Sequence, residues 1–371
     1  MATRTISPTR PPAAPARPLA AVRRYAGRWG LIVALAALPV YYGIHDLVQG
    51  YQAGVVAGHA VIHHDLANLG NDIAQGLSNG AIWALIAIGY TLVYGIIELI
   101  NFAHFNVFMI SSFVGMWALE LLGISGQSRV LTGLALAGAL VFAFAVTMLA
   151  AGVLGVAIER LSLRPLRGVP GTAAMITTIG VSYILFNIIL LTVGAGSENY
   201  PNPLPVVRWQ FGEVMLELKQ LLIWGVALAL MVALHVFVSR TRLGKAMRAT
   251  AQDAEAARMM GVDVDRVIVT AFFLGSALAG AAALIFGLYY NYTSFIIGYT
   301  AGLRAFTAAV LGGIGSIPGA MVGGLLIGLI ETLGGQLIAV RWTDVIIFSI
   351  LVLVLVFVPT GLFGRATPTK S

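Results

Sequence analysis

The sequence predicts an all-α fold: a polytopic transmembrane helical bundle of eight to ten spans, with one short cytoplasmic helix in the loop 239–266. Three observations carry this expectation. Only 10% of the 371 residues are charged and 59% are apolar, against about 25% charged in soluble globular chains. So few charges cannot cover a water-exposed surface, and lipid must cover much of the chain. The apolar residues fall into runs of roughly 20, the helical length that crosses a hydrocarbon core about 30 Å thick. The basic residues gather between those runs, as in cytoplasmic loops of membrane proteins.

Taken in order, residues 1–28 are rich in Pro, Ala and Arg and read as a disordered basic cytoplasmic tail. The run Trp29 to Gly43 is read as an uncleaved span and not as a signal core, because the leader is long and no small-residue cleavage site follows. A transmembrane domain then occupies 29–365, with a C-terminal tail at 366–371. Spans are expected near 29–48, 75–97, 105–123, 130–157, 172–195, 219–238, 267–289, 317–335 and 342–358. The stretch 303–316 is a further span or a half-helix. An even count of ten returns Arg365 and Lys370 to the side of the arginine-rich N-terminus.

The loops separate by charge. Residues 44–72 carry Asp46, Asp65, Asp72 and four histidines without Lys or Arg, which places them outside. Residues 197–218, with Pro201, Pro203 and Pro205, read as an ordered external loop. Arg240, Arg242, Lys245, Arg248, Arg258 and Arg266 place 239–266 inside, as Arg160, Arg164 and Arg167 do for their own loop. The net charge of +7 is thus spread over loops flanked by spans, which argues against nucleic-acid binding. No hydrophilic stretch is long enough for a soluble catalytic domain. The absence of cysteine excludes disulfides, thiolate metal sites and a cysteine nucleophile.

Several segments carry candidate chemistry. Asp253 is a suitable N-cap, Ala254 to Met260 are mostly strong helix formers, and Gly261 suits the left-handed residue past a helix end. The resulting helix has about seven residues, too short to span, and exposes Glu255, Arg258 and two adaptable methionines. An ordinary basic loop is the alternative. The stretch 98–106 places Glu98, Asn101, His104 and Asn106 between two apolar runs without any Lys or Arg. It is read either as a helix break lining a solute path inside the membrane or as an interfacial turn. In Gly312-Gly313-x-Gly315-x-x-Pro318-Gly319, exposed N–H groups at a helix start could face a carboxylate. Close packing is the preferred reading, through Gly319-x-x-x-Gly323 and Gly324-x-x-x-Gly328. Segments 101–123 and 311–334 each run from a broken stretch into a span, a hint of internal duplication. His59, His63 and His64 read as a solvated loop and not as a metal site. Arg304, Glu331 and Asp344 lie near span ends and read as interfacial or paired. Asn291-Tyr292-Thr293 matches a glycosylation sequon, too short a pattern to carry weight.

Glu255-Ala256-Ala257, followed three residues later by Gly261, resembles the E-A-A-x-x-x-G element of permeases of ATP-binding-cassette importers. Downstream, Ala271-Phe272-Phe273-Leu274 stands where the longer motif often closes with Leu-Pro. The stretches 79–105 and 311–333, and VPTGLFGR at 358–365, resemble the branched-chain amino acid permeases. Together the resemblance covers about residues 70–365. It implies that Glu255, Ala256, Ala257, Arg258 and Gly261 contact an ATPase subunit. It further implies a second, identical or related, permease subunit, an external solute-binding protein, and a multi-pass location in the bacterial inner membrane. Solutes of such systems are branched-chain amino acids, or urea and short-chain amides, which look alike at this level.

The chain has no G-x-x-x-x-G-K-[ST] element, so ATP and Mg would sit on the partner ATPase. Pathway candidates are Glu98, Asn101, His104, Gly312, Gly313 and Gly315. The alternative of another class is an ion-coupled transporter or channel, for which Glu98 and Glu120 are the candidate carboxylates. An embedded enzyme ranks third, because neither H-E-x-x-H nor G-x-S-x-G occurs.

Overall fold

The computed structural model describes residues 66–125, 130–167, 169, 171–212, 214–337, 342–358 and 360–364. The expected tail, the first span at 29–48 and the histidines of the 44–72 loop lie outside the described residues. The described residues hold eleven α-helices, a π-helical turn at Glu159–Leu163, a 3-10 turn at Arg164–Leu166 and four short strands. Helices α1 (Leu66–Ile97), α2 (His104–Leu121), α3 (Gly133–Ile158) and α4 (Gly171–Thr192) come first. Strands β1 (Ser197–Asn199), β2 (Arg208–Phe211) and β3 (Val214–Glu217) follow, then α5 (Leu218–Arg240), α6 (Arg242–Gln252), α7 (Ala254–Met259) and α8 (Val264–Tyr290). Strand β4 (Tyr292–Ser294) leads into α9 (Ile297–Gly312), α10 (Ile317–Leu337) and α11 (Thr343–Phe357). Among the described residues, six helices are long and apolar enough to cross a membrane.

Burial divides these helices into a centre and a rim. The apolar windows of α1 and α8 are 83% and 78% buried, whereas those of α4 and α5 are each 22% buried. The outward side chains of α3, α4 and α5 include Leu134, Val141, Ile176, Leu191 and Leu228. A helix apolar on every side is covered by protein or by lipid, and here the rim leaves its apolar side chains to lipid. Trp83, Phe108, Phe113, Phe272 and Phe286 fill the centre.

Glycines set the closest helix contact. α1 and α10 run antiparallel with Gly76 and Gly80 facing Gly324 and Gly328. A Cβ on Gly80 would lie 2.7 Å from the Leu325 Cα, and one on Gly324 or Gly328 would meet the backbone of Ala84 or Gly80. At the turn between α9 and α10, Gly312 and Gly319 abut in the same way, and Gly323 lies on Ala308. Small residues let backbones approach where lipid supplies no hydrophobic drive.

The two ends of the bundle differ. Around the C-terminus of α1 are the 159–167 segment, α6, α7 and the start of α8, bearing eight of the basic side chains named above. This is the cytoplasmic end by the positive-inside rule. At the opposite end β1 pairs with β4, and β2 with β3, as antiparallel pairs. The 197–218 loop is therefore ordered, with Tyr200 buried against Gly287. Glu217 and Gln220 form a capping box that starts α5. The 303–316 stretch lies largely on α9, whose 16 residues span roughly 24 Å, less than a full crossing. It turns at Gly313, where φ is 104° and a side chain would be strained.

Candidate functional site

The break between α1 and α2 lies beside α1, not beyond its end. His104 begins α2, and its Nε2 would be 3.1 Å from a Cβ on Gly89. Gly89 precedes the end of α1 by eight residues, or about 12 Å of helix. The connecting residues therefore climb back into the depth of the bundle. Asn101 shapes that climb: its Oδ1 accepts from the Ala103 N–H at 3.1 Å, and its carbonyl from the His104 N–H at 3.2 Å. The break is tied to α4, where Asn106 donates to the Ser182 carbonyl at 2.7 Å and the Phe102 N–H donates to Thr178 Oγ1 at 3.3 Å.

Asn101 and His104 are buried and share a narrow crevice with Tyr90, Val93 and Leu99. Tyr90 packs edge-on against His104, with ring centroids 5.8 Å apart, and stacks on Phe105. Neither the Tyr90 hydroxyl nor His104 Nε2 has a hydrogen-bond partner among the described residues. The crevice is thus lined by uncharged donors and acceptors and is closed to a water-sized molecule in this conformation.

The other sequence candidates lie elsewhere. Glu98 is exposed at the cytoplasmic end with φ 53°, and Glu120 is exposed at the far end of α2. Gly312 and Gly313 are buried against Gly319 and Gly364, and Gly315 faces Gly95. These contacts are backbone packing. Among the described residues no group of three or more His, Cys, Asp or Glu is placed to hold a metal.

The cytoplasmic helix α7 has six residues. Asp253 Oδ1 accepts from the Glu255 and Ala256 N–H groups, both at 2.9 Å, and Gly261 takes φ 83° just past the end. Glu255, Arg258, Met259 and Met260 are exposed, the methionines at 79% and 84%. Ala257 is the buried residue, in an apolar cluster with Val93, Leu163, Val264 and Phe272 against which Ile97 and Leu99 pack. Val93 and Leu99 also line the crevice. Beside this cluster Glu159, within a π-helical turn, pairs with Arg167, which also pairs with Asp265. Arg164 meets Asp265 at 2.8 Å. Replacing Asp253 with Ala removes both caps, a loss of about 1 kcal/mol in a helix with little else to order it. Faster limited proteolysis within 253–261 is the expected result, and unchanged cleavage would refute the capping role.

Sequence reasoning did not select Trp83 and Tyr90, and it left Arg304, Glu331 and Asp344 between two readings. The structure pairs them. Arg304 Nε lies 3.2 Å from Glu331 Oε1, and its NH2 group 3.0 Å from Asp344 Oδ1. Trp83 Nε1 donates to Glu331 Oε2 at 2.5 Å, and the guanidinium stands 5.6 Å from the Trp83 ring centroid. Nearby, Tyr290 donates to Asn79 Oδ1 at 2.7 Å, and Asn79 Nδ2 to Thr332 at 3.2 Å. Such partners are far apart in the chain, so no spacing rule could have found them.

A helical bundle with a lipid-facing rim, a buried polar break and a basic cytoplasmic end carrying an exposed short helix is the architecture of a multi-pass membrane transport protein. Residues 73–355 match the family model described as "Branched-chain amino acid transport system / permease component". The chain belongs to this family. It is 42% identical over 315 residues to the high-affinity branched-chain amino acid transport system permease protein BraD of Pseudomonas aeruginosa, covering 83% of this chain and 99% of that one. It is 41% identical to LivH of Escherichia coli, covering 80% and 96%. A probable LivH of Methanocaldococcus jannaschii is 27% identical, covering 76% and 88%. No solved structure matches. The spans and the permease relatives together make it a multi-pass protein of the bacterial plasma membrane.

Proposed function

We propose that this chain is the permease subunit of an ATP-driven importer that moves branched-chain amino acids by alternating access. ATP and Mg are bound by separate ATPase subunits. Glu255, Ala256, Ala257, Arg258 and Gly261 dock on them, a second permease subunit completes the path, and an external binding protein delivers solute. Glu98, Asn101, His104, Gly312, Gly313 and Gly315 belong to the path or to the packing that shapes it. The observation that carries the reading is α7: capped at both ends, exposed on its charged and methionine-bearing sides, and joined through Ala257 to the cluster lining the Asn101–His104 crevice. Such a helix presents a rigid handle to a partner groove. Displacing it strains the residues beside the break.

The test is uptake of radiolabelled leucine into vesicles bearing the chain with its neighbouring subunits. Wild type is compared with a Glu255→Arg, Gly261→Pro double variant. ATP-dependent uptake in wild type is expected, with loss of both uptake and ATPase co-purification in a variant that still inserts. Uptake by the chain alone down an ion gradient, indifferent to the variant, would sink the proposal.

A further inference from the structure

We infer that Arg304 and Glu331 form a recognition station for a zwitterionic α-amino acid, the guanidinium receiving its carboxylate and Glu331 its ammonium group. This rests on the import of amino acids proposed above and names which atoms of the solute are read, and where.

The pair lies within the bundle, not in a loop. Arg304 is on α9 and Glu331 on α10, with side chains 18% and 13% exposed. Ionised groups inside membrane segments are costly, and a buried pair seldom repays its desolvation through stability alone. The arrangement is also incomplete as an ion pair. Arg304 Nε is buried and without a hydrogen-bond partner although Glu331 is 3.2 Å away. Trp83 Nε1 holds the second oxygen of Glu331, and its ring lies beside the guanidinium. The carboxylate and the guanidinium are therefore each fixed by an aromatic neighbour that would remain if the two charges parted.

Side-chain contacts lead from the pair in both directions. Outward, the Arg304 NH2 group reaches Asp344, which is 61% exposed in the first turn of α11. Inward, Phe306, two residues beyond Arg304, packs edge-on against Tyr90 with centroids 5.6 Å apart. Tyr90 lines the crevice with Asn101 and His104. Trp83 and Tyr90 are seven residues apart on α1, about 10 Å, so the charged station stands outside an uncharged one.

The charges explain the choice of solute. An amino acid carries opposite charges on one carbon. It can exchange one internal ion pair for two, leaving no buried charge uncompensated. An acid alone would part the pair and strand Glu331, an amine alone would leave Arg304 only the exposed Asp344, and an uncharged amide offers neither side chain a charge to replace the one it gives up.

The experiment uses the purified permease–ATPase complex without its binding protein, whose own selectivity would otherwise mask the effect. The probes are L-leucine, isopentylamine (ammonium only) and 4-methylpentanoate (carboxylate only), each measured by equilibrium binding. Wild type is expected to bind leucine at least tenfold more tightly than either half-molecule. In Arg304→Gln the preference over isopentylamine disappears, and in Glu331→Gln the preference over 4-methylpentanoate does. The Arg304→Gln/Glu331→Gln double variant removes both charges and lets the two amides bond to each other. It should keep the wild-type unfolding midpoint and ATPase association while losing the leucine preference altogether. Leucine binding unchanged in that variant, or no preference in wild type, overturns the assignment. Absence of ATP-dependent leucine uptake by the wild-type assembly would instead count against the importer reading.

Discussion

Replacing Gly324 with Leu should prevent α1 and α10 from closing, and little intact protein should be recovered. A Cβ at this position falls on the backbone of Ala84. Ordinary overpacking costs about 1–3 kcal/mol because side chains can turn aside. Backbone cannot, and α1 is the most deeply buried helix of the six apolar spans. Gly80 and Gly328 face each other one turn further along, where a Cβ on Gly328 would meet the Gly80 backbone, so shifting the helix axis only moves the clash. Gly138→Leu on α3 is the control, since nothing lies within 4 Å of a Cβ there. Both substitutions add the same side chain to a helical glycine. The measurement is the monodisperse yield and unfolding midpoint of each variant in detergent. Equal behaviour would mean that the glycine contact does not hold the helices together.

The fold was legible because lipid imposes a rule that can be read along one dimension: a helix must be apolar for the thickness of the bilayer. Runs such as 75–97 and 267–289 fall within α1 and α8 for that reason. The short cytoplasmic helix was equally legible, as N-cap, helix formers and glycine are local in sequence, from Asp253 to Gly261. The depth of the 98–106 break was not. Its polar residues signalled an interruption, but only the packing of His104 beside Gly89 shows that the chain climbs back into the bundle. The separation of Glu98 from Asn101 and His104 has the same origin, since one left-handed residue decides which way the chain leaves α1. The pairing of Arg304 with Glu331 and Asp344 depends on how three helices meet. Each residue alone reads as a span-end charge, and nothing in their spacing of 27 and 40 positions distinguishes a partner from a neighbour.

Arg304→Ala should destabilise the protein by about 3–5 kcal/mol, the usual consequence of removing one member of a buried ion pair. The cost comes from Glu331. With the guanidinium gone, its carboxylate keeps only the Trp83 N–H while 13% exposed. Asp344, at 61% exposure, is solvated and should contribute little. This asymmetry gives the prediction its sharpest form. Adding Glu331→Gln to Arg304→Ala should recover much of the unfolding midpoint, because the charge left behind is then removed, whereas adding Asp344→Asn should not. If Arg304→Ala alone leaves the midpoint unchanged, Glu331 must be hydrated through a route that the packing of α9, α10 and α1 does not reveal. Stability and the proposed solute recognition make separate demands on the same two side chains: stability requires that neither charge stand alone, and is satisfied by two neutral amides. Selective binding of a zwitterion requires that both charges be present. A variant that folds normally but no longer distinguishes leucine from its halves would therefore assign the pair to recognition, with its stabilising role a consequence of burying two charges that must be kept together when the site is empty.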